Sequence, residues 1–337
     1  MTVKTKRRLL LTVFFILPIV TAVCAIGWGR YSISVREIAA CFFPGAFPGV
    51  EVTNNMVNIV FNIRVPRILL AILAGAGLSV SGAAFQGLFA NPLATPDTLG
   101  VAAGASFGAV LGILLGLPSV GIQLMALIWG SVAVVIVFSV SRVKGISSLI
   151  MLILAGMVVG ALFSALVSLV KYVADPQDVL PSITYWLLGT MSGVNMTRLA
   201  LGTPLMIAGT ILIFLLRWRL NALSLQEDEA RSLGINVRLT RVLVIVAATA
   251  VTAAVISMCG LIGWVGLLIP HLSRMIFGSD NKYVIPSCIG LGALFMLIVD
   301  SIARSVMAAE IPVSILTSVI GAPFFIILLR RTGGVSS

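Results

Sequence analysis

The chain has 337 residues, 59% of them hydrophobic and only 10% charged, where a soluble domain carries about 25% charged residues. With a mean hydropathy of +1.15, this composition excludes an ordinary soluble enzyme and describes a multi-span membrane protein. The net charge of +11 does not point to nucleic acid, because most of the basic residues fall on one side of the expected spans, where they are a topology signal.

Apolar runs of about 20 residues, each able to cross roughly 30 Å of hydrocarbon as a helix, recur along the whole chain. A barrel would instead show alternating segments of about 10 residues. The fold class is therefore an all-α membrane protein with about ten transmembrane helices. Reading Pro, Gly and polar breaks as loops places the spans at 9–29, 65–88, 99–117, 120–140, 148–170, 198–216, 240–260, 261–277, 283–305 and 312–329. The first, "KTKRRLLLTVFFILPIVTAVCAIG", starts like a signal peptide but lacks a clean small-x-small cleavage site, so it reads as a retained span.

Between the first two spans, "EIAACFFPGAFPGVEVTNNMVNIVFNIR" suits a short, partly buried element along the outer interface. "RVPR" then opens the second span with Arg64 and Arg67. A charge at the bilayer centre costs about 2.5–3.5 kcal/mol, so both arginines belong at the interface, where snorkelling anchors are one reading. The glycines of "GAGLSVSGAAFQG" and "GVAAGASFGAVLGILLG" let helices approach closely and read as tight bundle packing. The chain must turn between them at "ANPLATPD". After the fifth span, "ADPQDVLPSITYWLLGTMSG" is too short to cross twice and implies a short helix on the outer face.

The polar stretch "LSLQEDEARSLG" sets Glu227, Asp228 and Glu229 side by side. Ser224 and Glu227 fit a capping box, Gly234 supplies a C′ stop, and Arg231 sits in the last turn, where the helix dipole favours a cation. A short capped helix is written here, and a solvated loop helix without a partner explains the same pattern. Further on, Asp300 and Arg304 stand four apart, the spacing of a self-neutralising helical pair, with Glu310 close behind; a proton relay would use the same kind of groups.

With the N-terminus inside and ten crossings, fifteen of the 22 Lys and Arg residues fall on the cytoplasmic side, as the positive-inside rule requires. Both termini are then cytoplasmic. Cys24, Cys41, Cys259 and Cys288 show no metal-ligand spacing, and His271 is the only histidine, so no metal site and no catalytic constellation is expected. No phosphate-binding Gly-x-x-x-x-Gly-Lys-Ser/Thr loop occurs, so any work done by ATP needs an ATPase on another chain.

"EARSLGI", "GLIGWVGLLIPHLSR", "RVPRILLAILAGAGLSVSGAAFQGLFANPLATPDTLGVAAGASFG" and "DSIARSVMAAEIPVSILTSVIGAPFFIILLRR" together resemble the permeases of the iron-siderophore, haem and vitamin B12 class of ATP-binding-cassette (type II) importers. The likeness covers nearly all the chain after about residue 60. It implies one polytopic permease domain over 1–337 in the lipid of a bacterial inner membrane, working as a homodimer with two ATPase subunits and one periplasmic binding protein. ATP and Mg would bind the ATPase, and this chain would hold no cofactor.

Carried over residue by residue, the resemblance makes the region at about 220–238 an ATPase-coupling helix, with Glu227, Asp228, Glu229, Ala230, Arg231, Leu233 and Gly234 at the contact. Arg64, Arg67 and Arg304 match arginines that dock the binding protein. Asn91 and Leu93, with Ser147, Ser148, Leu149 and Ile150, match the cytoplasmic gate. The implied cargo is a metal chelate or, favoured on overall likeness, the oxyanion molybdate or tungstate. The competing reading is an ion-coupled secondary transporter, which would want ionisable groups at mid-membrane; those present are few and mostly near span ends.

Overall fold

A computed structural model describes residues 3–29, 31–47, 49–141, 149–223, 225, 227–307 and 309–332. The first helix, α1 (Val3–Gly27), is followed by two short helices, α2 (Val35–Phe42) and α3 (Asn54–Asn58). A wider π-helical stretch at Ile59–Arg64 leads directly into α4 (Val65–Leu88). Then come α5 (Val101–Leu114), α6 (Ser119–Val140), α7 (Leu149–Val173), α8 (Val179–Leu187) and α9 (Met196–Ala222). The chain closes with α10 (Glu227–Ser232), α11 (Val237–Cys259), α12 (Val265–Phe277), α13 (Asn281–Ala303) and α14 (Val313–Thr332).

Among the described residues seven helices are long and apolar enough to cross a membrane, and three shorter apolar helices, Val101–Leu114, Val265–Phe277 and Val313–Ile327, take the places of the other expected spans. The second expected span, 65–88, coincides with α4. The eighth, 261–277, is shortened to α12 because residues 260–264 are not helical. The two connecting segments both hold short helices: α2, with a complete Ser34–Glu37 capping box, and α8, after α7.

Close backbone approach organises the bundle around α4 and α11, which are buried almost all round. A Cβ at Gly75 would overlap the Gly292 carbonyl of α13, and one at Gly82 would overlap the Gly266 carbonyl of α12. Hydrocarbon provides no hydrophobic drive between helices, so such small-residue contacts are the means by which they associate. Gly104 and Gly108 of α5 do the same against Trp129 and Met125 of α6.

These contacts also fix direction. The start of α4 meets the end of α13 through Arg67 and Asp300, and its last turn lies beside Asn281 at the start of α13, so the two are antiparallel. α1 runs parallel to α13, with Phe14 against Gly290 and Ala25 against Arg304. One end of the bundle therefore gathers the end of α1, the start of α4, the end of α13 and the segment after α8. The other gathers the end of α4, the end of α9, α10 and the start of α13.

Candidate transport and coupling sites

At the end that carries α10, the polar helix is stopped by a Schellman arrangement: Gly234 N–H donates to the Arg231 carbonyl (2.9 Å) and Ile235 N–H to that of Ala230 (3.3 Å). Gly234 has φ +74°, and its surroundings leave open space. The left-handed backbone alone therefore explains the glycine. Ala230 is buried, anchoring α10, while Asp228, Glu229, Arg231 and Leu233 are exposed. Ser224 lies outside the described residues, as does the side chain of Glu227, and with them the expected capping box.

A latch connects the helix before α10 to the next part of the bundle. Asn221, at the end of α9, donates to Asp280 (2.8 Å) and accepts from the Asn281 amide (2.8 Å). Asp280 in turn caps α13 by accepting from the Lys282 amide (2.9 Å). Close by, Arg274 of α12 donates to Gln86 and to the Ala83 carbonyl of α4. Gln86 and Arg274 line a small cavity together with Asn91, Ser279 and Asn281, so the turn after α4 and the latch share one space.

Asn91 closes that turn by accepting from the Leu93 amide (2.9 Å), an Asx turn of the kind the sequence implies. Leu93 is exposed, as is Ile150 at the start of α7, while Leu149 is half-buried. α7 packs onto the turn's continuation, where a Cβ on Gly156 would overlap the Thr98 carbonyl. Ser147 and Ser148 lie outside the described residues.

Farther into the bundle, Thr95 and Asp97 face Thr252, Ile262 and Trp264 across a narrow cleft. Trp264 has φ +71°, a costly conformation for a bulky residue, and its ring lies against Gly321 and Phe325 of α14. The sequence reading passed over both Asp97 and Trp264. The flanking glycines of "GLIGWVG" were the available signal for a special backbone there.

At the opposite end, the arginines expected at a wet interface are buried. Arg67 is 5% exposed, Arg64 4% and Arg304 8%. Arg67 Nε donates to Asp300 (2.7 Å), and Nη1 meets both Glu310 oxygens (2.8 and 2.9 Å). Arg64 donates to the Ile26 and Tyr31 carbonyls, and Arg304 to that of Ala25. The expected Asp300–Arg304 pair is present but long, 3.8 Å, and the stronger partner of Asp300 is Arg67. Two carboxylates and three carbonyls replace water around the guanidiniums, which makes their burial tolerable.

A helical bundle of this kind, its polar groups gathered at the two ends, is that of a membrane transport permease. The chain belongs to the FecCD transport family, whose model matches residues 16–331. It is 42% identical over 317 residues to the molybdate import system permease protein MolB of Haemophilus influenzae, across 94% of each chain. It is 37% identical over 319 residues to a Helicobacter pylori permease named for an iron chelatin transport system, across 94% of this chain and 97% of that one. Its fold matches a solved structure described as a metal-chelate type ABC transporter in an inward-facing conformation, with a TM-score of 0.86 and 40% identity over 96% of this chain and 99% of the other.

Proposed function

We propose that the chain is the permease subunit of an ATP-driven importer that carries molybdate or tungstate across a bacterial inner membrane. The observation that carries this reading is the 42% identity to a molybdate permease along 94% of both chains. The chain catalyses no bond chemistry. Hydrolysis belongs to two ATPase subunits, where ATP and Mg bind, on a homodimer of this chain that is served by one periplasmic binding protein. Both termini and α10 face the cytoplasm, in keeping with the basic residues of that side.

In this reading the whole chain is one permease domain and the ATPase docks on the exposed side of α10, at Asp228, Glu229, Arg231 and Leu233, with Glu227 completing the acidic run. Movement of α10 reaches α13 through Asn221 and Asp280, and reaches the gate turn at Asn91 and Leu93 through Arg274 and Gln86. Ser147, Ser148, Leu149 and Ile150 complete the gate. The binding protein docks over the outer rim, which Arg64, Arg67 and Arg304 hold together from beneath.

Affinity purification of the tagged chain from native membranes, with metal analysis of the co-purifying proteins, tests this function. An ATPase and a periplasmic protein carrying molybdenum or tungsten are expected. Iron or cobalt in that protein would overturn the cargo, and recovery of the chain alone would overturn the importer.

A further inference from the structure

On the same side as the buried arginine cluster, a cavity of ≈ 430 Å³ opens between α5, α6, α8, the start of α9 and the end of α11. Water occupies about 30 Å³ per molecule in the liquid, so the space holds a small ion together with several waters. Its polar lining is Arg198, Thr190, Ser192, Ser182 and Tyr185, and no carboxylate contributes. Arg198 sits in the first turn of α9, half-buried. Among the described residues no carboxylate pairs with it.

Its hydrogen bonding is incomplete. Nη1 donates to the Gly193 carbonyl (3.2 Å) and Nη2, at 3.4 Å, to that of Met258. The buried Nε has no partner. A guanidinium offers five N–H donors in a rigid fork matched to oxyanions, so three remain unused. The backbone is nevertheless held: Asn195 accepts from the Arg198 amide (2.9 Å), and Gln123 donates to its carbonyl (3.1 Å). Thr190 Oγ1 accepts from the Ser192 amide (3.0 Å), which leaves its own proton for a ligand. The start of α9 adds the positive end of a helix dipole.

A half-buried cation without a counter-charge, beside hydroxyl donors, is matched by an anion rich in acceptors. We propose that this cavity binds one small tetrahedral oxyanion from solution, with Arg198 as its principal ligand and the Thr190 and Ser192 hydroxyls as secondary donors. If the importer reading holds, this is a weak holding site on the outer side of the path. The binding itself does not depend on that reading.

The test is equilibrium dialysis of the full chain in phosphatidylcholine nanodiscs against sodium molybdate, with molybdenum counted by mass spectrometry. Saturable binding near one molybdate per chain is expected, competed by sulfate. Arg198→Gln should weaken it at least tenfold and Arg198→Lys less, whereas Arg36→Gln, at an exposed arginine of α2, should leave it unchanged. Should Arg198→Gln fail to fold, the Thr190→Val, Ser192→Ala double variant should weaken binding several-fold. Unsaturable binding, or affinity indifferent to Arg198, overturns the site. Affinity lost when phosphatidylglycerol replaces phosphatidylcholine at high salt, which screens the charge of the anionic surface, assigns the cavity to an anionic lipid headgroup and overturns the free-anion source. Any of these outcomes beside intact ATP-driven molybdate uptake would sink the cavity proposal and spare the importer.

Discussion

Replacing Asp300 with Asn should be among the most damaging single-atom changes the chain can suffer. Asp300 is 2% exposed and lies 2.7 Å from Arg67 and 3.8 Å from Arg304. Neutralising it leaves Arg67 with Glu310 alone and takes the carboxylate from Arg304. Breaking a buried pair by removing one partner costs about 3–5 kcal/mol, because the remaining charge stays desolvated. Glu310→Gln removes a charge-assisted contact to the same arginine, but the Glu310 side chain is 29% exposed. Water there screens the loss, so about 1 kcal/mol is expected. Thermal unfolding of the two variants in nanodiscs, followed by tryptophan fluorescence, reads the difference directly. Asp300→Asn should unfold well below Glu310→Gln, and the double variant Arg67→Met, Asp300→Asn should recover part of the loss. Equal melting of the two single variants would refute the buried-network reasoning.

Three further outcomes follow from the geometry. Gly234→Val forces a left-handed conformation worth about 1–2 kcal/mol of strain onto a six-residue helix, so ATP hydrolysis by the complex should continue while uptake falls; uptake at the wild-type rate removes α10 from the coupling path. Asn221→Ala deletes two hydrogen bonds of about 1 kcal/mol each, and should depress uptake more than it depresses assembly with the ATPase, measured as co-purified subunit per chain. Gly75→Ala should cost about 1–3 kcal/mol by overpacking against α13, while Gly45→Ala, with open space around it, should not move the melting temperature; equal effects would mean that the α4–α13 contact is not tight.

The spans were legible because an apolar run of about 20 residues has few other fates, and the end of α4 shows this most simply, where "ANP" after Leu88 stops it; its start was not legible, because the helix runs unbroken from Asn54 into Val65. What pattern could not give was partnership across the chain. Arg67 and Asp300 are 233 positions apart, so a reading by neighbours paired Asp300 with Arg304 and placed the arginines in water. Arg198 escaped notice for the same reason, since its significance lies in the missing carboxylate around it. The polar helix was readable locally through Gly234, whose φ of +74° the structure shows. The shortened α12 was not, because residues 260–264 are as apolar as a helix would be, and only the glycines of "GLIGWVG" mark the departure in the sequence.

The central claim is tested most directly by uptake into proteoliposomes that contain this chain and its ATPase, with the binding protein outside and labelled molybdate as cargo. The account predicts molybdate accumulation that requires ATP on the ATPase side and the binding protein on the other, and that survives a protonophore. Accumulation that proceeds without ATP and collapses with the protonophore would contradict it and make the chain an ion-coupled carrier.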